Sequence, residues 1–134
     1  MSSAPKILSE LHNIVLKSLK GDSNIKNCIA GTYDYLPKNP SLPYISMRIA
    51  DYQEISLIPK FMLKAKLVLG IYSFHMQSLF EIMESAGKVV SSLNFKHLDY
   101  KAVLLNNGTA GQHDDVLYAL MNFNILLKEK CDKI

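Results

Sequence analysis

The chain has no pairing pattern for its cysteines. Cys28 and Cys131 are the only two, they stand far apart, and neither sits in a CxxC or Cys/His spacing. That argues against a zinc site or a disulfide framework and fits a reducing compartment. Long apolar runs are also missing. Nothing approaches the roughly eighteen consecutive apolar residues of a membrane-spanning helix, and Met1–Lys6 lacks the charged-then-apolar order of a secretory leader. A soluble product without the usual export signal is expected. Charge of one sign is not concentrated anywhere. The 15 basic and 12 acidic side chains are spread along the sequence and leave a net charge of +3, short of the basic stripe of a dedicated nucleic-acid binder. There is no catalytic signature either. His12, His75, His97 and His113 each stand alone, with no serine or cysteine beside a base. The expectation is a protein that is not an enzyme and holds no cofactor and no metal.

What is present is an ordered succession of elements. At 134 residues and 49% hydrophobic content, the chain predicts a single domain that buries about two-thirds of its unfolded surface. Residues 5 to 20 read as an amphipathic helix, with Pro5 in its first turn, Gly21 at its end and Leu8, Leu11 and Val15 as the inner stripe. Residues 24 to 29 add a further helical turn, and Thr32–Leu36 has the aromatic and β-branched character of a short strand. A Pro-rich crossing, Lys38 to Ile45, then leads into a strand over Tyr44–Tyr52. There Ile45, Met47 and Ile49 alternate with Ser46, Arg48 and Ala50. The alternation is cleaner in Phe61–Ile71, where Phe61, Leu63, Ala65, Leu67, Leu69 and Ile71 oppose Lys64, Lys66 and Gly70. Between these strands, residues 53 to 60 contain Leu57-Ile58-Pro59 and predict a loop or irregular hairpin tip.

Ser73 is the expected cap of a second long helix whose stripe is Met76, Leu79, Phe80, Met83, Ala86, Gly87, Val90 and Leu93. Residues 99 to 106 follow as a strand, and Asn107–Gly111 reads as a turn-rich loop leading to the polar Gln112–Asp115. A long last strand over 116 to 128 carries Leu117, Ala119, Met121, Phe123, Ile125 and Leu127 on one face, and residues 128 to 134 form a flexible tail. The sum is an α+β fold: an antiparallel sheet of about four main strands with two helices packed on one face. The other face then carries Tyr44, Ser46, Arg48, Tyr52, Lys64, Lys66, Val68, Tyr72, Val116, Tyr118, Leu120 and Asn122. That mixture is too apolar in places to be merely solvated.

Three clusters could carry chemistry. His113-Asp114-Asp115 is the densest group of ligand-type residues, but neighbours on an extended chain point to opposite sides, so a solvated hairpin tip is the better reading. The glycines of Asn107–Gly111 lack the Gly-Lys-Ser/Thr ending and following helix of a phosphate loop. Arg48, Lys60, Lys64 and Lys66, with Tyr44, Tyr52 and Tyr72 among them, outline a single-strand platform. Strand lysines also serve to block edge pairing, and tyrosines suit protein interfaces equally well.

Taken together, Ile7–Leu11, Thr32–Pro37, Leu42–Met47, Lys66–Ser73 and Leu117–Phe123 resemble the tail-completion, or tail-terminator, family of long-tailed phages, prophages and gene-transfer agents. The resemblance spans nearly the whole chain and departs at Leu57-Ile58-Pro59, where family members usually carry a polar loop. It implies a structural virion protein at the head-proximal end of the tail, assembled in the bacterial host cytoplasm. Copies would close a hexameric ring on the finished tail tube, stop its polymerisation and present the surface that joins the head. The implied partners are further copies of the chain, the tail tube protein and the head–tail connector protein, with no membrane and with DNA only as cargo passing through the ring. The interface residues expected on this reading are Arg48, Tyr52, Lys64, Lys66, Tyr72, His113, Asp114 and Asp115. A head-completion or connector-stopper protein is the nearest alternative, and a small nucleic-acid-binding module with steeply salt-dependent affinity is the more distant one.

Overall fold

The computed structural model describes residues 3–57, 60–105 and 108–130. The first helix, α1 (Ala4–Gly21), starts where the Lys6 backbone N–H donates to the Ser3 hydroxyl and Pro5 occupies the first turn. Its buried row is Ala4, Ile7, Leu11, Val15 and Leu19. Leu8, expected in that row, is only half-buried and flanks it, because the four-residue spacing runs through Ile7 instead. Asp22 separates α1 from the short α2 (Ser23–Cys28) and caps it, accepting the Ile25 N–H at 3.0 Å.

Six strands follow among the described residues: β1 (Gly31–Tyr33), β2 (Tyr44–Leu57), β3 (Lys60–Ser73), β4 (Leu98–Leu104), β5 (Thr109–His113) and β6 (Val116–Glu129), with α3 (Met76–Ser91) between β3 and β4. The sheet order is β1-β2-β3-β6-β4, with β5 also on β6. Only β1 runs parallel to its neighbour, so the sheet is not wholly antiparallel. The extended segment expected over 32–36 ends at Tyr33. Inward side chains of the central strands, among them Ile45, Leu67, Leu69, Ile71, Met121, Phe123 and Ile125, join the buried rows of all three helices in one core. The helices therefore share one face, as alternation required, but among the described residues they number three, and the strands six.

Three boundaries differ from the sequence reading, each for a local reason. The loop or hairpin tip expected over 53–60 does not begin at Gln53: β2 and β3 stay paired out to Leu57 opposite Lys60, and Ile58 and Pro59 lie outside the described residues. The glycine-rich 108–111 stretch is not a turn. β4 and β5 both pair along the same side of β6 in the same direction, and Asn106, the expected end of the fourth strand, and Asn107 lie outside the described residues. The chain reverses at Asp114-Asp115, the hairpin tip expected there, where Asp114 takes a positive φ of 54° between the paired His113 and Val116. Residues 128–130 belong to the fold and not to a tail. Lys128 and Glu129 pair with Asp99 and Leu98, and Lys130 donates its backbone N–H to the His97 carbonyl; Cys131 and the residues after it lie outside the described residues.

The second long helix is rotated from its expected stripe. Leu79, Ile82, Ala86 and Val90 are buried, whereas Met76 and Phe80 stand half-exposed. Ser73 ends β3 and accepts the His75 N–H, while His75 occupies the cap position itself without a side-chain bond.

Candidate assembly surface

The register of β1, β2, β3, β6 and β5 sets out the helix-free face row by row. Gly31, Tyr44, Tyr72, Tyr118 and Gly111 lie side by side across five strands, and Tyr33, Ser46, Gly70, Leu120 and Thr109 form the next row. Four tyrosines form a continuous aromatic band. Tyr44 and Tyr72 stack at 4.6 Å with rings 14° apart, Tyr33 lies 6.0 Å from Tyr44, and Tyr118 lies 6.3 Å from Tyr72. Close packing of the band against the backbone needs glycine below it. A Cβ on Gly70 would come within 2.9 Å of the Tyr72 ring, and one on Gly111 within 2.7 Å of the Tyr118 hydroxyl. Burial pushes the Tyr44 phenol above its ordinary value of 10.0, and the neighbouring Tyr72 adds to the shift.

Further along the same face the chemistry becomes basic. Arg48 lies beside Val68, Lys66 opposite Asp51, and Lys64 opposite Gln53. Lys101 and Lys128 extend the strip, with Asp99 opposite Lys128. The face is thus polarised, aromatic at the end that holds the Asp114-Asp115 turn and lysine-rich at the other. Five cations against two carboxylates leave a surplus of positive charge.

Of the residues singled out from sequence, Arg48, Lys64, Lys66 and Tyr72 share this face, and Lys60 pairs with Leu57. Tyr52 does not. Ala50 is an extra residue between Ile49 and Asp51, and this bulge places Tyr52 opposite the inward Ala65, 51% exposed on the helix side. His113, Asp114 and Asp115 are exposed at the β5–β6 turn, with His113 and Asp114 side chains 3.7 Å apart and 87% and 89% accessible. Among the described residues no group of three or more His, Cys, Asp or Glu is arranged to hold a metal ion. His12 faces Asp34 at 3.2 Å, and among the described residues no nucleophile is paired with either.

Tyr33, Lys101 and Lys128 were missed by sequence reasoning. Lys101 was legible from alternation in its strand, whereas Lys128 was hidden by its proximity to the chain end. The outer edge of β2 is paired with β1 only over Tyr44–Ser46. Beyond Ser46 it carries the bulge and Arg48, Asp51 and Glu54, devices that discourage pairing with another strand.

No protein-family model and no curated protein sequence matches the chain. Among solved structures, one chain described as part of the virion of a native gene transfer agent particle is similar to it, with a TM-score of 0.76 at 14% identity over 95% of this chain and 99% of that one. At that identity the likeness shows a shared fold.

Proposed function

We propose that this chain is a structural virion protein that acts as a tail terminator, closing a ring on the finished tail tube and offering the surface to which the head is joined. The observation that carries the reading is the fold shared with a gene transfer agent virion chain over nearly the full length of both. The site chemistry is in keeping with it. The helix-free face offers a preorganised aromatic band and a lysine strip, a combination suited to docking against protein.

A closed ring needs two different patches that meet between neighbours, each contact burying on the order of 1,000 Å² or more in total. A tube end of matching symmetry would raise the effective concentration of subunits, so weak association in isolation and firm closure on the tube are both expected. The tube or connector then meets the open face.

Electron microscopy of particles made with and without this gene tests the reading. Overlong tails and detached heads in its absence are expected. Normal-length tails beside unattached heads would favour the connector-stopper alternative, and wholly normal particles would overturn a role in assembly. Lys64→Glu with Lys66→Glu should reproduce the tail defect with the fold intact. Unchanged particle yield and tail length would remove the open face from the interface.

A further inference from the structure

Between α1 and α3, on the side of the molecule away from the open face, lies an open groove of about 750 Å³. Its titratable lining is Lys17, Lys88, Lys96 and His97 against Glu10 and Asp22. The Asp22 carboxylate is already engaged in capping α2. Lys88 is held only by an exposed contact to Glu84 at 3.3 Å, a pair readily exchanged for another carboxylate. Its size is within the roughly 300–1,000 Å³ of sites that enclose a compact ligand. The polar rim and surplus lysines suit an acidic protrusion more than an apolar one.

The same chain carries such a protrusion. The β5–β6 turn presents Asp114 and Asp115 on a two-residue reversal whose flanking His113 and Val116 are paired. The carboxylates are therefore displayed on a supported tip. The topology sets tip and groove at opposite ends of the molecule. The turn opens β6, whereas Asn94, Lys96 and His97 precede Leu98, which pairs with Glu129 at the far end of β6. Fourteen residues of extended strand separate these ends, about 45 Å.

We infer that the groove between α1 and α3 receives the β5–β6 tip of a second copy of this chain, with Asp114 and Asp115 of one copy against Lys17, Lys88 and Lys96 of the next. This rests on the ring reading above and names its two patches. Because the patches differ and lie at opposite ends, every copy can give a tip and receive one, which is the head-to-tail arrangement that closes into a ring. The blunted edge of β2 argues for this contact over strand addition. The open face stays free for the tube.

The test uses two full-length variants whose substitutions are all on exposed side chains. The tip variant is Asp114→Asn with Asp115→Lys, asparagine being chosen because it tolerates the positive φ. The groove variant is Lys17→Glu with Lys96→Glu. Sedimentation velocity across a concentration series should show wild-type self-association, and at least about tenfold weaker association for either variant alone. A one-to-one mixture of the two should recover it, since each basic tip then meets an acidic groove and each acidic tip a basic one. Variants that associate like wild type would overturn the tip-in-groove contact while leaving a ring built otherwise. A wild type that stays monomeric throughout would overturn it too. The terminator reading fails separately, on normal particles in the gene's absence.

Discussion

Deleting Ala50 should leave the fold nearly intact, although deletions within strands are ordinarily destructive. Ile49 pairs with Leu67 and Asp51 with Lys66, so Ala50 is the one residue of that stretch without a partner on β3. Removing it joins two segments already in register and keeps Asp51 outward and Tyr52 inward. The side chain is exposed, so no core volume is lost. The expected cost is about 1 kcal/mol or less, from relaxing the local twist. Deleting Arg48 instead can keep the distal register only by consuming the bulge. Ala50 then takes the inward place of Ile49, and Ile49 takes the outward place of Arg48. That resembles an Ile→Ala change at a half-buried site, about 2 kcal/mol, with an exposed isoleucine added. Urea titration of the two deletions measures the difference, and equal midpoints would refute the assignment of Ala50 as the inserted residue.

Thr32 is 5% exposed and its hydroxyl has no hydrogen-bond partner among the described residues, so Thr32→Val should raise stability by about 1 kcal/mol in thermal melts; a destabilised variant would mean that the hydroxyl is satisfied. Tyr100 accepts the Leu93 N–H and donates to the Val90 carbonyl, tying the end of α3 to β4. Tyr100→Phe orphans that N–H and should cost about 1–3 kcal/mol, visible as a Tm lowered by several degrees. Burial raises the phenols of Tyr44 and Tyr100 above 10.0, so the folded state holds these protons more tightly than the unfolded chain. Their contribution is full below the unfolded value and is lost as pH rises through the folded one. Urea midpoints should therefore fall as pH rises above the unfolded value of 10.0, less steeply in Tyr44→Phe, and an unchanged slope in that variant would refute the burial argument.

Helices and long strands were legible because their burial is periodic. The alternation in β3 and β6 identified nearly every inward residue of the sheet, and with them the face that the helices leave open. Other features depended on information that periodicity does not carry. The bulge at Ala50 breaks parity without a local signal, since alanine suits a strand, and that alone moved Tyr52 to the wrong face. The glycines at 108 and 111 looked like a turn because composition cannot tell a glycine that bends the chain from one that makes room for a ring. Gly111 lies beneath Tyr118, seven residues later in sequence and adjacent only through the hairpin. The α3 stripe was misjudged by about one position because its first turn presents apolar residues on both sides.

The arrangement of the tyrosines bears on which partner the open face can receive. Single-strand binding by stacking needs ring faces free to accept bases. Here Tyr44 is 8% exposed and its face is taken by Tyr72, while the Tyr72 and Tyr118 rings approach the backbone at Gly70 and Gly111. Rings held in this way present edges and hydroxyls in fixed positions. Such a surface loses little side-chain entropy when a rigid partner settles on it, which is the advantage tyrosine brings to protein interfaces. The lysines beyond the band add long-range attraction and orientation without deciding affinity. The band and the strip are therefore better matched to one broad protein surface than to a flexible strand. The tube end proposed above, presenting the same surface to every subunit of a ring, would be a partner of that kind.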